Sequence, residues 1–115
     1  MIEKIRVADF SPVPFGRYPT DGNFSGQRFR RERLKNAFQN NENEKIQVDF
    51  NGIVPVGSSF LDESFGGLIR DEGMSFKEIW ERLEIISDFP IYEIQIKNIL
   101  QDAEEELKVN NSELG

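Results

Sequence analysis

Apolar and polar positions first alternate over residues 5–10 (IRVADF), a short β-branched stretch that predicts an opening strand. Pro12, Pro14, Gly16 and the run Pro19-Thr20-Asp21-Gly22-Asn23 then supply turn chemistry, with room for a short edge strand around Phe15–Tyr18. Ser25 suits a helix N-cap. Phe29, Leu34, Ala37 and Phe38 share one side of a helix running to about Gln39, with basic residues on the rest, and Asn40-Asn41-Glu42-Asn43 is a polar loop that ends it. Ile46, Val48 and Phe50 alternate with polar residues, predicting a second strand over 46–53.

Gly57 permits a sharp turn, and Ser58 or Ser59 is placed to cap a helix, with Asp62 three residues after Ser59 as its capping-box partner. Leu61, Phe65 and Leu68 continue that helix at apolar spacing. A second capping box, Ser75 to Glu78, opens a short helix carrying Phe76, Ile79, Trp80 and Leu83. Residues 83–87 (LEIIS) predict a buried strand. Asp88 and Pro90 then suit the start of a long helix with the stripe Ile96, Ile99, Ala103 and Leu107. Tyr92, Ile94 and Ile96 also alternate, so a strand at 91–96 competes with that helix.

The order strand, helix, strand, helix, helix, strand, helix specifies an α/β fold, a small mixed or parallel sheet with helices packed against it. Residues 1–108 are read as one domain and the polar residues 109–115 as a flexible tail. The expected core contains Val48, Phe50, Leu61, Phe65, Leu68, Ile85 and Ile99.

Composition then narrows the functional classes. A chain of 115 residues with 37% hydrophobic content and ten phenylalanines has material for one core. It has no cysteine and no histidine, which leaves no thiolate, no imidazole base and only carboxylates for a metal. Asp62-Glu63 and Asp71-Glu72 are adjacent pairs, which diverge on a helix instead of facing across a cleft. No enzyme activity, metal or cofactor is expected. No apolar run has signal-peptide length or the roughly 18 residues of a membrane span, so the expectation is a cytoplasmic protein without a membrane partner.

The net charge of −7 argues against nucleic acid as a partner, but it is unevenly spread. Residues 1–40 hold eight Lys/Arg against four Asp/Glu, while the remainder holds six against seventeen. Arg17, Ser25, Arg28 and Arg31 are therefore a candidate anion-binding set at a helix start, the alternative being a solvated basic face. The spacing of Gly22 and Gly26 matches no nucleotide-binding fingerprint. Gly66-Gly67 inside a predicted helix costs about 1 kcal/mol per glycine relative to alanine. Such a pair implies either close helix–sheet packing or the close approach of a partner's backbone.

VDFNGI, GSSFLDESFGGLI and LEIIS followed by a helix together resemble the STAS-like domains, the family of sulphate-transporter and anti-sigma-antagonist modules. Gly57-Ser58-Ser59-Phe60 stands where ordinary members carry Asp-Ser-Ser-Gly, with Gly57 replacing the Asp and Phe60 the Gly. Gly16-Arg17-Tyr18, residues 21–30 and residues 57–68 are similar to small standalone bacterial STAS-like proteins, and the likeness spans roughly residues 5–105. The resemblance implies a regulatory or adaptor protein whose turn serine, Ser58 or Ser59, is phosphorylated by a histidine-kinase-like ATPase. It also implies that Gly57, Phe60, Asp62, Glu63, Gly66 and Gly67 line the partner surface. A constitutive scaffolding or homo-oligomeric subunit, and a small-ligand or nucleotide-binding domain, are the alternatives. For the serines themselves, simple helix capping is the competing role.

Overall fold

Alternation, clearest in β2, gives the sheet one largely apolar and one largely polar face. A computed structural model describes residues 2–40 and 44–114. The strands β1 (Ile2–Arg6), β2 (Lys45–Asp49) and β3 (Leu83–Ile86) form one parallel sheet in the order β1-β2-β3. The register sets Ile5 beside Val48 and Val48 beside Ile85, with Glu3, Ile46 and Leu83 in the next row of that face. Lys4, Gln47 and Glu84 make a row on the opposite face, where Gln47 donates to Glu84 at 3.2 Å. Parallel sheets usually have both faces covered. Here Lys4, Arg6, Lys45 and Glu84 are exposed, and the polar half of the alternation lets the second face meet water.

Helix α1 (Val7–Phe10) follows β1 directly, so the expected strand at 5–10 is corrected. Val7 and Phe10 are both buried, and their spacing of three fits one helical turn. Helix α2 spans residues 26–40 and α3 spans residues 58–70. Each is α-helical at both ends with a π-helical middle, Arg30–Leu34 in α2 and Asp62–Gly66 in α3. Helix α4 is Phe76–Trp80 and α5 is Ile91–Leu114. Both expected serine caps at α2 and α4 form: Ser25 Oγ accepts from Arg28 N–H at 3.3 Å, and Ser75 Oγ from Glu78 N–H at 3.1 Å.

Helix α3 is the hub, packing against both α2 and α5. From Phe60 to Ile69 every residue except Asp62 is buried. Phe29 meets Phe60 across the α2–α3 seam with ring centroids 5.6 Å apart, and Phe50 stacks on Tyr92 at 4.7 Å. A Cβ on Gly26 would stand 2.6 Å from Phe60 O, so glycine permits the closest approach of these helices. Leu61 and Phe65 are fully buried. Either one changed to alanine should therefore lose about 2–5 kcal/mol in urea denaturation, and near-wild-type midpoints for both would remove α3 from the core.

Five of the seven expected core residues are buried, while Ile85 and Ile99 pack half-buried at its rim. No strand forms at residues 15–18. Residues 91–96 are helical, with Tyr92 and Ile96 buried at a spacing of four and Ile94 exposed. The helix also continues through 109–114, where the sequence points to a tail. Asn41-Glu42-Asn43, the expected polar loop, lies outside the described residues. No helix among the described residues is long and apolar enough to cross a membrane.

Candidate functional site

Parallel strands end together, so the loops after β1, β2 and β3 gather at one edge, where open α/β sheets commonly bind ligands. The loop after α1 is held by its own side chains. Asp21 Oδ2 accepts from Arg17 N–H and Tyr18 N–H, both at 3.1 Å, and Phe15 N–H donates to Phe24 O at 2.9 Å. Gly16 has φ +82°, and a Cβ there would meet Asp21 Cβ at 2.5 Å, so this turn requires glycine. Val54 N–H donates to Pro12 O at 2.9 Å, tying the second loop to the first. Asp88 N–H donates to Asn51 Oδ1 at 3.0 Å and Val56 N–H to Tyr92 Oη at 3.1 Å, bringing the third loop and the start of α5 alongside.

A groove of about 530 Å³ opens between the first loop and the start of α3, with Phe15, Gly16 and Arg17 on one wall and Gly57, Ser58 and Ser59 on the other. The expected serine cap is corrected here. Gly57 is the N-cap, with φ −84° and ψ 168°, and Ser58 and Ser59 occupy the first two helical positions with exposed side chains. That extended φ is open to any residue, and a Cβ on Gly57 would meet nothing within 4 Å, so no sharp turn demands glycine there. The backbone N–H groups of Ser58, Ser59 and Phe60 have no acceptor among the described residues.

Asp62 is not a capping partner. Arg17 Nη1 reaches its Oδ2 at 2.5 Å, and Arg70 reaches Oδ1 and Oδ2 at 3.2 and 3.1 Å and Asp62 O at 2.9 Å. This clamp joins the first loop to the middle and the carboxyl end of α3. Burial alone would push the Asp62 carboxyl up, but hydrogen bonds from Arg17 and then Arg70 outweigh it and hold Asp62 below its ordinary value. A lowered folded-state pKa contributes stability that is present above the unfolded value, near 4, and lost as pH falls through the folded one. Asp62→Asn should therefore be less stable than wild type at neutral pH, and the gap should narrow on acidification. Denaturation midpoints between pH 6 and pH 2 read this directly, and a constant gap would mean the clamp is not ionic.

The remaining residues expected on the partner surface lie inside. Phe60 and Glu63 are 1% and 4% exposed, and Gly66 and Gly67 are buried. Neither the sheet nor a partner explains the glycine pair. A Cβ on Gly66 would stand 2.8 Å from Arg70 Nη1, and one on Gly67 would stand 2.0 Å from Arg30 Nη1. Arg30, read from the sequence as part of a basic outer face, is 1% exposed. Its guanidinium lies 2.6 Å from Glu63 Oε2, 3.0 Å from Glu72 Oε2 and 3.4 Å from Asp71 Oδ2. Sequence adjacency thus separates Asp62 from Glu63 as expected, but Asp71 and Glu72 converge on one cation.

The candidate anion set does not assemble. Ser25 is fully buried, and the start of α2 is already satisfied: Gly26 N–H donates to Gly16 O and Gln27 N–H to Arg17 O, each at 2.9 Å. Arg28 is engaged by Glu32 at 2.6 Å and by Asn23 O, and it lies over the rings of Phe10 and Phe24. Arg31 stands exposed on α2. Only Arg17 reaches the groove, and it does so beside Ser58 and Ser59 and not beside Arg28.

What sequence reasoning missed is apolar. Among the described residues ten large hydrophobic side chains are exposed, and all but Ile2 and Val109 lie in these loops or the first turn of α5. Val13, Phe15, Tyr18 and Phe24 belong to the first loop, Val54 to the second, and Phe89, Ile91 and Ile94 to the third and its helix. The signal was available. Each of the five prolines, at 12, 14, 19, 55 and 90, is flanked by one or two of these exposed residues. Proline fixes φ and lowers the entropy lost on ordering a loop, so the apolar side chains are held outward in advance.

Residues 25–90 match a family model described as a STAS-like domain of unknown function (DUF4325). The matched stretch runs from the Ser25 cap to Pro90 and takes in α2, β2, α3, α4 and β3. No curated protein and no solved structure matches the chain.

Proposed function

The chain belongs to the STAS-like domain family, and from that premise we propose that it is a non-catalytic regulatory domain that docks a protein partner at the carboxyl end of its sheet, with Ser58 and Ser59 as the control point. The observation that carries this reading is the set of exposed apolar side chains, most of them beside prolines, on the loops at the sheet edge where the serine groove opens, with Phe15 lining the groove itself. Apolar surface concentrated at one edge favours a protein partner over a solvated edge. Loops already fixed by Asp21, Asn51 and Tyr92 lose little further freedom on docking.

A phosphate on either serine adds nearly two negative charges at the free N–H groups of α3, three or four residues before Asp62. It competes with Asp62 for Arg17 and changes the groove wall that a partner meets. Likeness to the anti-sigma antagonists makes a histidine-kinase-like ATPase the first partner to try. The exposed side chains of Ser58 and Ser59 cap nothing, so alanine at either should alter stability by no more than about 0.5 kcal/mol. Ser58→Asp, Ser59→Asp and Phe15→Ala should each weaken co-purification of the native partner, with unchanged melting temperatures. Mass spectrometry of protein from its own cell should find phosphate on one of the two serines. Full partner recovery with all three variants, and no phosphate, would leave a constitutive scaffold docking elsewhere.

A further inference from the structure

We propose that Asn51 is a self-modifying site, which closes on the nitrogen of Gly52, releases ammonia and becomes aspartate or isoaspartate, untying the second loop from the third. The chemistry needs neither a partner nor a phosphate, so it stands apart from the serine groove. Of the asparagines in the chain, Asn51 alone precedes a glycine. Gly52 is exposed at φ +84°, and a Cβ there would meet only Ala8 Cβ, at 3.8 Å. No side chain therefore crowds the attacking nitrogen. The Gly52 N–H has no acceptor among the described residues, which leaves it open to hydroxide.

The carboxamide it attacks is held by the oxygen end. Asp88 N–H donates to Asn51 Oδ1 at 3.0 Å, whereas Nδ2 has no acceptor among the described residues. A fixed donor at that distance draws electron density from Cγ and stabilises the oxyanion formed on attack. The nitrogen that must leave is the one left untied. Hydroxide takes the Gly52 amide proton, and the nitrogen lone pair forms a bond to Asn51 Cγ while the carbonyl pair moves onto Oδ1. The carbonyl re-forms, the Cγ–Nδ2 bond breaks, and Nδ2 takes a proton from water to depart as ammonia, restoring hydroxide. One water then opens the succinimide, at Cγ to give aspartate or at the main-chain carbonyl to give isoaspartate.

Neither product keeps the turn as it stands. Asn51 N–H donates to Asp49 Oδ1 at 2.8 Å while the side chain accepts from Asp88. Isoaspartate adds a carbon to the main chain and removes one from the side group, so both bonds cannot be held at once. Aspartate puts a negative charge beside the Asp49 carboxylate, and like charges repel. Either change loosens the join between the loops that carry Val54 and Phe89.

The whole chain, incubated for weeks at pH 6 and at pH 8, is followed by peptide mass spectrometry and by labelling with an isoaspartate methyltransferase. Asn51 should gain the mass of an acid exchanged for an amide, and faster at pH 8. Asn36 and Asn98, which lie within helices, should stay intact in the same samples. Amide exchange at Val54 and Asp88 should quicken as the chain ages, since both N–H groups are bonded in the fresh protein. Asn51→Gln, whose longer side chain closes no five-membered ring, should show neither change. Asn51→Ser, with no amide to expel, supplies the same block if glutamine disturbs the turn. Asn51 still intact when the helical asparagines have reacted, conversion only in urea, or conversion with unchanged exchange at Val54 and Asp88 would each overturn the proposal.

Discussion

Arg30→Met is expected to lower the unfolding free energy by about 3–5 kcal/mol, because removing one partner of a buried ion pair strands the other. Arg30 rises from α2 into the seam with α3. There its Nη1 donates to Glu63 O and Oε2 at 2.5 and 2.6 Å, and its Nε donates to Glu72 at 3.0 Å. Burial alone would lower the pKa of this guanidinium, but hydrogen bonds to Glu63 and then Glu72 raise it above its ordinary value, so the cation persists throughout folding conditions. Methionine matches the bulk and removes the charge, leaving the Glu63 carboxylate, 4% exposed, without a cation. Arg30→Met/Glu63→Leu should recover much of the loss, since an apolar pair of similar volume avoids the desolvation of both ions. Urea denaturation of the two variants measures this. A single variant within about 1 kcal/mol of wild type would show that the network contributes specificity without stability.

The pattern of apolar residues made the sheet and most of the core legible. Val48, Phe50, Leu61, Phe65 and Leu68 lie where alternation and helical spacing place them. What escaped reading has identifiable causes. The β-branched run over residues 5–10 looks like one strand, yet the spacing from Val7 to Phe10 is that of a helical turn. Phe29 to Leu34 and Phe60 to Phe65 are each five apart, a spacing that suits the i→i+5 turn of the π segments observed there and not a regular α-helix. Arginine normally reads as surface, so only the cluster of Glu63, Asp71 and Glu72 seen in three dimensions reveals Arg30 as core. Capping rules favour serine over glycine, but the extended residue before α3 is Gly57, which frees both serine hydroxyls for solvent. The family resemblance was legible in the same turn, whereas the apolar rim was hidden because residues beside prolines in loops carry no periodicity.

Gly67→Ala should destabilise nearly as much as Arg30→Met, while Gly66→Ala, one residue earlier, should cost much less. In an ordinary helix interior both changes would be favourable by about 1 kcal/mol. The difference lies in what each new methyl meets. At Gly66 it stands 2.8 Å from the tip of Arg70, whose side chain is 27% exposed and can swing toward solvent at the expense of its part-buried hydrogen bonds to Asp62. At Gly67 it stands 2.0 Å from Arg30 Nη1 and 2.7 Å from its Cζ. That guanidinium has nowhere to go, since three carboxylates and the α2–α3 seam enclose it. Alanine must therefore expel the cation or part the two helices, and either course abandons Glu63. A double-mutant cycle isolates the cause. In the Arg30→Met background the collision is gone, so Gly67→Ala should cost little or become stabilising, with a coupling energy of about 2–3 kcal/mol. An equal cost in both backgrounds would place the obstruction in the backbone of α2 and not in the arginine, and glycine would then be required by helix packing alone.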